Sequence, residues 1–355
     1  MAKSCIGLDI GSSSVKAAHL VRQKAGHKLL GFGIEPLPAQ AIVDGAIMDH
    51  GAVVDAVGAL ISRLHLKKRA VAIAIAGNSV IVKKISVPNM SAAELAEQIP
   101  YEAERHIPYA RSDVELDYQV LGTHPMTGRL DLVLVAAKKE IVSDYAEVLR
   151  EAKLVPTVID VAGFAVQNAF EANYDLAPGE TAVVINVGAA FSNLNIIRDG
   201  ASLFVRDIAI GGRSLTEDLQ KSLAVGFADA EALKLGIVFD DRGIAPEQVA
   251  QVIATTADVI AGELQRSIDF FLGQAGDTTV SKICLAGGTA KLMALARAFE
   301  RRSRLPVEIL DAWRRIDVDP RLDAGFLASH APEASVALGL ALRAPNDKPA
   351  PGVLR

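Results

Sequence analysis

The sequence is poor in the residues that mark disulfide-stabilised, metal-binding or membrane-spanning proteins. Its two cysteines, Cys5 and Cys284, each lie inside an apolar run, so neither a disulfide framework nor a cysteine metal site is expected. The seven histidines include no HxH or HxxxH pair, which argues against a structural metal. There is no run of 18 apolar residues and no secretory signal before Gly7. We therefore expect a cytoplasmic protein that reaches a membrane only through partners.

The chain has no net positive charge, and aromatic side chains are scarce. The net charge is −5, so the chain lacks the basic footprint of a nucleic-acid-binding protein, and no nucleic-acid partner is expected. Aromatic residues make up only 5% of a chain that is 50% hydrophobic. The core must therefore consist mainly of Ala, Val, Ile and Leu, and 355 residues suffice for two lobes.

The stretch IGLDIGSSSVKAAHL, residues 6–20, places an acid and a tight turn inside an apolar run. We predict strands over 5–10 and 15–22 that form a hairpin. Small turn residues let backbone N–H groups converge on an anion. The candidates for such a phosphate cradle are Gly11, Ser12, Ser13 and Ser14, with Lys16 adding a charge. Asp9, at the end of its strand, is placed to order the waters of Mg²⁺.

The same pattern returns 177 residues later, where Asn186-Val187-Gly188 aligns with Asp9-Ile10-Gly11. This is an internal repeat of a whole lobe. The second turn offers a second cradle, formed by Gly188, Ala189 and Ala190. A single turn of this kind is more often a plain hairpin, but two such turns facing across a cleft would clamp a triphosphate.

Two further segments are candidates for contact with a nucleoside. AGGTAK places Gly287 and Gly288 between a strand and a helix, where backbone can approach a ligand closely. A helix predicted over 216–236 carries Glu231 and Lys234 one turn apart. These two side chains either form a surface ion pair or reach the ribose and base from the second lobe.

Seven segments occur in a fixed order along the chain: GLDIGSSSVK, QIPYEAERHIPYA, VIDVAGFAVQNAFE, INVGAAFSNLNII, RDIAIGGRSLTE, QRSIDFF and ICLAGGTAKL. Together they resemble the PilM family of type IV pilus assembly proteins, within the actin-like ATPase superfamily that includes the division protein FtsA. The resemblance implies a bilobed α/β actin-like ATPase fold with duplicated lobes and an inserted FtsA-like α+β subdomain. It also implies an ATP-bound cytoplasmic scaffold that binds the short cytoplasmic N-terminal tail of PilN, a single-pass inner-membrane protein. Further implied partners are other pilus-machine components, including the motor or platform protein, with self-assembly into a ring as a further possibility.

The resemblance also implies a division of the chain. Residues 1–85 and 156–178 correspond to subdomain 1A, 86–155 to the inserted 1C-like subdomain, 179–213 and 276–343 to subdomain 2A, and 214–275 to subdomain 2B, with 344–355 a disordered tail. The helix QIPYEAERHIPY matches the insert, whose groove against the first lobe resembles the tail-binding site. Tyr101, Ile107, Pro108 and Tyr109 line that groove or merely pack the helix on its own sheet.

One departure concerns catalysis. Actin-like ATPases usually carry aspartate in the second loop, and here it is Asn186, which brings no charge toward Mg²⁺. The only candidates for orienting an attacking water are Asp160 and Gln167, and Asp160 has the alternative role of a helix cap. We therefore expect ATP binding with at most slow hydrolysis.

Two other functions fit the same fold. An FtsA-like polymer-forming ATPase usually ends in an amphipathic membrane-anchoring helix, whereas this chain ends in the proline-rich RAPNDKPAPGVLR. A small-molecule kinase needs a catalytic acid in the first lobe's cleft, and the sequence offers none in a persuasive place. We favour the pilus scaffold over both.

Overall fold

A computed structural model describes residues 4–24, 26–67, 69–124, 126–237, 243–276 and 278–343. The predicted disordered tail, 344–355, lies outside the described residues.

Sixteen strands and ten α-helices are assigned within the described residues. The strands are β1 (Ser4–Ile10), β2 (Ser14–Gln23), β3 (Gly26–Pro36), β4 (Ile42–Val43), β5 (Ala46–Ile47), β6 (Ala70–Ile75), β7 (Val80–Val87), β8 (Val114–Thr123), β9 (Leu130–Lys138), β10 (Val155–Val161), β11 (Thr181–Val187), β12 (Ser192–Arg198), β13 (Ala201–Ile208), β14 (Lys282–Ala286), β15 (Val307–Ile309) and β16 (Asp317–Val318). The helices are α1 (His50–Arg63), α2 (Ala92–His106), α3 (Lys139–Glu151), α4 (Ala162–Asn173), α5 (Gly212–Leu223), α6 (Phe227–Lys234), α7 (Pro246–Gln274), α8 (Met293–Ser303), α9 (Ala324–His330) and α10 (Ser335–Ala341).

Two sheets share one arrangement. The first has the order β10-β6-β1-β2-β3-β16 and the second the order β13-β12-β11-β14-β15. In each, an antiparallel meander, β1-β2-β3 or β11-β12-β13, is joined by a parallel strand beside its first member, β6 or β14. The predicted repeat of a lobe is therefore present as two sheets of matching topology.

The space between the two sheets is filled by α4 and α10. Their apolar side chains pack with alanines of β6 on one side and with β11 and β14 on the other. The helices approach so closely that a Cβ built on Gly339 of α10 would lie 1.7 Å from the carbonyl oxygen of Ala165 in α4. A Cβ on Gly7 of β1 would likewise lie 2.1 Å from the Ala337 oxygen. Glycine is required at both points because two backbones touch there.

The outer faces of the two sheets are covered by separate sets of helices. Helices α1 and α3 pack on the first sheet through residues such as Leu60 and Val148. Helices α5, α7 and α8 pack on the second through residues such as Leu215, Leu264 and Phe299. In the sequence, Val53, Val57, Leu60, Ile61 and Leu64 recur at helical spacing and predict a helix here, which α1 confirms.

A third sheet, of order β7-β9-β8, forms the inserted part. Helix α2 covers one face of it with Leu95, Ile99 and Ala103. The helix begins with a capping box, in which the Ser91 hydroxyl accepts from the Glu94 N–H at 3.3 Å and the Ser91 N–H donates to the Glu94 carboxylate at 2.8 Å. Strand β7 starts at Val80, before residue 86 where the insert was predicted to begin. The subdomain boundaries themselves stay predictions.

The single helix predicted over 216–236 is wrong, because two helices occupy this stretch. Helix α5 ends at Leu223, and Ala224 after it has left-handed backbone, φ 53°. That conformation reverses the chain, and α6 then begins at Phe227.

Candidate functional site

A cavity of about 430 Å³ opens between the two hairpin turns, one from each sheet. This volume lies in the range of small-molecule sites. Of the residues predicted to bind nucleotide, the following line it: Asp9, Gly11, Ser12, Ser13, Ser14, Lys16, Asn186, Gly188, Ala189, Glu231, Lys234, Gly287 and Gly288. Ala190 is the exception, although it lies next to Ala189 in the second turn. The fold thus brings together residues that are far apart in the sequence.

The first hairpin presents an ion pair to this cavity. Asp9 and Lys16 are direct cross-strand partners in β1 and β2, and the Lys16 Nζ lies 3.3 Å from the Asp9 Oδ2. Both side chains are largely buried, with 18% and 12% of their surface exposed. The turn is closed by the Gly11 N–H, which donates to the Ser14 carbonyl at 3.1 Å.

The second hairpin repeats this turn with neutral side chains. The Gly188 N–H donates to the Phe191 carbonyl at 3.0 Å, as Gly11 does in the first copy. The cross-strand pair is now Asn186 and Asn193, and the Asn186 amide donates to the Asn193 oxygen at 2.8 Å. The site is therefore chemically asymmetric, with an ion pair on one side and two amides on the other.

Gly287 stands where the second sheet meets the cavity. Its φ of 87° is left-handed, and a Cβ there would lie 2.4 Å from the Val187 oxygen, so only glycine fits. Its N–H donates to the Pro332 carbonyl at 2.8 Å and so serves the fold. A Cβ on Gly288 would meet only ordinary contacts, the nearest being Glu333 Cγ at 3.6 Å.

Glu231 and Lys234 form a partly buried pair that is tied to α5. The Lys234 Nζ donates to the Glu231 carboxylate at 2.6 Å and to the Thr216 hydroxyl at 2.9 Å. The Thr216 hydroxyl also bonds the Glu231 carboxylate, and Lys234 reaches the Gly212 carbonyl at 3.3 Å. This network favours a role in the cavity wall over a solvated surface pair.

Several cavity residues were missed from the sequence. Tyr145 of α3 lines the cavity and donates its hydroxyl to the Gly45 carbonyl at 3.2 Å. Burial, together with the nearby charge of Asp9, raises the pKa of the Tyr145 hydroxyl. Lys291 and Glu333 form an ion pair in the same wall. Tyr145 and Glu333 belong to elements that the pattern explains by packing alone, whereas Lys291 ends the AGGTAK segment and could have been found from it.

The two residues proposed to orient a water do not line the cavity. Asp160 pairs with Arg343 at 2.5 Å, and its carboxylate also accepts from the Val161 N–H at 2.8 Å. Burial raises the pKa of Asp160 and the Arg343 charge opposes this.

The amide of Gln167 serves packing between α4 and the second sheet. Its oxygen accepts from Asn195 at 3.0 Å and from Ser202 at 2.5 Å, and its nitrogen donates to Glu171 at 2.7 Å. Because these bonds satisfy the amide inside the fold, the structure gives Gln167 a role in positioning α4.

The four residues predicted to bind a partner differ in exposure. Tyr101 is 61% exposed and Pro108 is exposed, whereas Ile107 is buried in the core between α2 and its sheet. Tyr109 is half-buried: its hydroxyl donates to the Asn78 carbonyl at 3.2 Å, and the Lys138 Nζ lies 4.9 Å from its ring centre. Tyr101 and Pro108 are thus the most open of the four for contact.

Two negative findings concern the part of the chain that the structure describes. Within it, no group of three or more His, Cys, Asp or Glu side chains is arranged to bind a metal ion. None of its helices combines the length and the apolar character needed to span a bilayer.

Two sheets of matching topology, with their hairpins facing one cavity and two helices between them, define an actin-like ATPase fold. Solved structures of this class match the chain over nearly its whole length. The ethanolamine utilization protein EutJ from Carboxydothermus hydrogenoformans is 15% identical, with a TM-score of 0.59 over 96% of this chain and 90% of that one. MreB5 of Spiroplasma citri, bound to ADP, is 16% identical, with a TM-score of 0.52 over 95% of this chain and 94% of that one. These likenesses confirm the predicted fold class.

Residues 7–345 match the family model of the type IV pilus assembly protein PilM, and the chain belongs to this family. It is also similar to a solved structure described as a PilM-PilN type IV pilus biogenesis complex, with 29% identity and a TM-score of 0.84. That match covers 95% of this chain and 97% of the other. The family resemblance seen in the seven sequence segments is confirmed.

Proposed function

We propose that this protein is a nucleotide-binding scaffold of type IV pilus assembly, which binds the cytoplasmic N-terminal tail of a PilN-type protein and reaches the inner membrane through it. The observation that carries the nucleotide part is the pair of matching hairpin turns facing one cavity. The observation that carries the partner part is the similarity to the PilM-PilN complex over nearly the full length of both chains.

The hairpin geometry suggests which groups bind the phosphates. The N–H groups of Gly11 and Gly188 already close their own turns. The donors we propose are therefore the next cavity-lining N–H groups along each turn, those of Ser12 and Ser13 in the first and of Ala189 in the second. Lys16 adds a positive charge beside the first turn. The Glu231–Lys234 pair and the Gly287-Gly288 backbone then flank the nucleoside.

Magnesium fits this site as a partner of the nucleotide. Mg²⁺ usually binds one or two carboxylates together with substrate phosphates and several waters, so a complete protein cage is not needed. The Asp9 carboxylate and the Asn186 amide oxygen are the groups that would face it from the two lobes. Bound there, Mg²⁺ would neutralise phosphate charge. With a neutral Asn186, we propose that hydrolysis is at most slow.

For partner binding we propose the exposed side of α2 and of the residues just after it, where Tyr101 of the helix and Pro108 beyond its end offer apolar surface to a short peptide. An FtsA-like polymer or a small-molecule kinase is less well supported, because the family match and the similarity to the PilM-PilN complex favour the scaffold. Contacts with a motor or platform protein, and assembly into a ring, stay expectations from the family.

The nucleotide proposal is tested with protein purified without added nucleotide. Denaturation followed by identification of any released nucleotide reports occupancy, and calorimetry on stripped protein then gives the affinity for ATP. Asp9→Ala should weaken ATP binding about tenfold in Mg²⁺, equivalent to about 1.4 kcal/mol. In EDTA the same variant should bind ATP as well as the wild type or better, because Lys16 loses its partner and is free to face the phosphates.

The matched control is Asp55→Ala, which removes an exposed carboxylate from α1. This variant should bind ATP like the wild type. Unchanged affinity of Asp9→Ala in Mg²⁺ would show that the cavity is not the nucleotide site.

The partner proposal is tested by titration with a synthetic peptide of the PilN-type N-terminal tail. We expect saturable binding that Tyr101→Ala weakens about tenfold, since exposed aromatic anchors often dominate peptide affinity. Met126→Ala is the control, because Met126 is 90% exposed at the β8–β9 turn of the same insert. No saturable binding, with or without ATP, contradicts the scaffold proposal.

A further inference from the structure

A chain of hydrogen bonds crosses three neighbouring strands beneath the cavity. Asn186, Asn193 and Asp207 are successive cross-strand partners on β11, β12 and β13. The Asn186 amide donates to the Asn193 oxygen at 2.8 Å, and the Asn193 amide donates to the Asp207 Oδ1 at 2.7 Å. Asn186 and Asn193 line the cavity, whereas Asp207 is not among its lining residues.

The carboxylate at the end of this chain determines the direction of both amides. An ionised carboxylate can only accept, so Asn193 must turn its NH₂ group toward Asp207. Its oxygen then faces Asn186, which must offer its own NH₂ in turn. The remaining group, the Asn186 oxygen, lies on the side of Gly287, where a built Cβ would be 2.7 Å from it. Burial raises the pKa of Asp207, whereas the bonds from Asn193 and Gly77 favour its ionised form.

Asp207 also connects the two lobes. Its Oδ2 accepts from the N–H of Gly77, in the loop that follows β6 of the first sheet, at 2.6 Å. Gly77 is left-handed, with φ 94°, and a Cβ there would lie 2.9 Å from the ring of Phe191 in the second hairpin turn. The loop of the first lobe is thus bonded to β13 of the second sheet, and at the same residue it leaves no room for a side chain beside Phe191.

We propose that Asp207 is a positioning residue of the nucleotide site. It directs the Asn186 amide oxygen toward the Mg²⁺-bearing phosphates, and the bond from the Gly77 N–H holds the Asp207 carboxylate in place for this. The inference rests on the proposed nucleotide-binding function. It predicts that ATP affinity depends on a carboxylate that does not itself line the cavity.

The test is a double-mutant cycle on ATP binding, measured by calorimetry with Mg²⁺ and with EDTA. Asp207→Asn leaves one side-chain oxygen to accept from both the Gly77 N–H and the Asn193 amide. The amides of Asn193 and Asn186 can then turn over, which would present the Asn186 NH₂ to the cavity. We expect ATP affinity in Mg²⁺ to fall about fivefold or more, with a much smaller change in EDTA. In an Asn186→Ala background, Asp207→Asn should have no further effect, because Asp207 acts through Asn186.

A second variant separates the loss of the amide chain from a general loss of folding. Asn193→Ala cuts the amide chain but keeps the Asp207–Gly77 bond, and it should reproduce the loss of affinity. An equal loss from Asp207→Asn in both backgrounds, or unchanged affinity in Asp207→Asn and Asn193→Ala, would overturn the inference while leaving the proposed function intact. Failure of the wild type to bind ATP would refute the proposed function, and the inference with it.

Discussion

Substitution of Gly339 by alanine tests the close crossing of α4 and α10. A Cβ there would lie 1.7 Å from the Ala165 carbonyl oxygen, whereas Cβ contacts below 3.0 Å essentially do not occur. The two helices would have to separate by about 1.3 Å inside the core that both sheets share. Overpacking of this kind costs about 1–3 kcal/mol and sometimes more. A contact this short places the cost at the upper end of that range, about 3 kcal/mol, and alanine gains about 1 kcal/mol of helix propensity, so we expect a net loss of about 2 kcal/mol.

The assay is urea unfolding followed by the fluorescence of Trp313, the only tryptophan of the chain. This side chain is buried in the same core as α10, so its emission reports the loss of that packing. Gly58→Ala in α1 is the matched control, since a Cβ there would meet nothing within 4 Å. It should raise the free energy of unfolding by about 0.5–1 kcal/mol. A Gly339→Ala variant as stable as the wild type would refute the argument that backbone contact requires glycine.

Two further predictions concern stability. Ser91→Ala removes the cap of α2 and should lower the free energy of unfolding by about 1 kcal/mol. Ser91→Asp keeps a capping oxygen and should be nearly as stable as the wild type, so equal stability of all three proteins would contradict the role of the cap. Arg343→Met leaves the buried Asp160 carboxylate without its 2.5 Å ion pair and should cost about 3 kcal/mol at pH 8. Because the folded pKa of Asp160 is raised above its unfolded value, the contribution of Asp160 to the free energy of unfolding is largest at low pH and is lost as the pH rises. The variant raises that pKa further, so its deficit should shrink toward pH 5; a deficit independent of pH would contradict this.

The sequence by itself determined the duplicated hairpins and the family. A hairpin is a local structure: the turn residues and the flanking apolar runs lie within about fifteen positions, so they can be recognised in one window. The 177-residue offset between Asp9 and Asn186 then predicts a second lobe, and the structure has the same turn hydrogen bond in both copies. The Ser91–Glu94 capping box is equally local, since its side-chain and backbone partners lie within four residues.

Only the tertiary structure decided which side chains meet at the site and which serve the fold. Tyr145 reaches the cavity from a helix whose pattern shows only packing, and Gln167 is drawn into hydrogen bonds with the second sheet. Asp207 and Gly77 are 130 residues apart and meet only because α4 and α10 bring the two sheets together. Hydrophobic periodicity reports which face of an element is buried, but it carries no information about which distant element covers that face. Such contacts therefore become visible only once both lobes are packed.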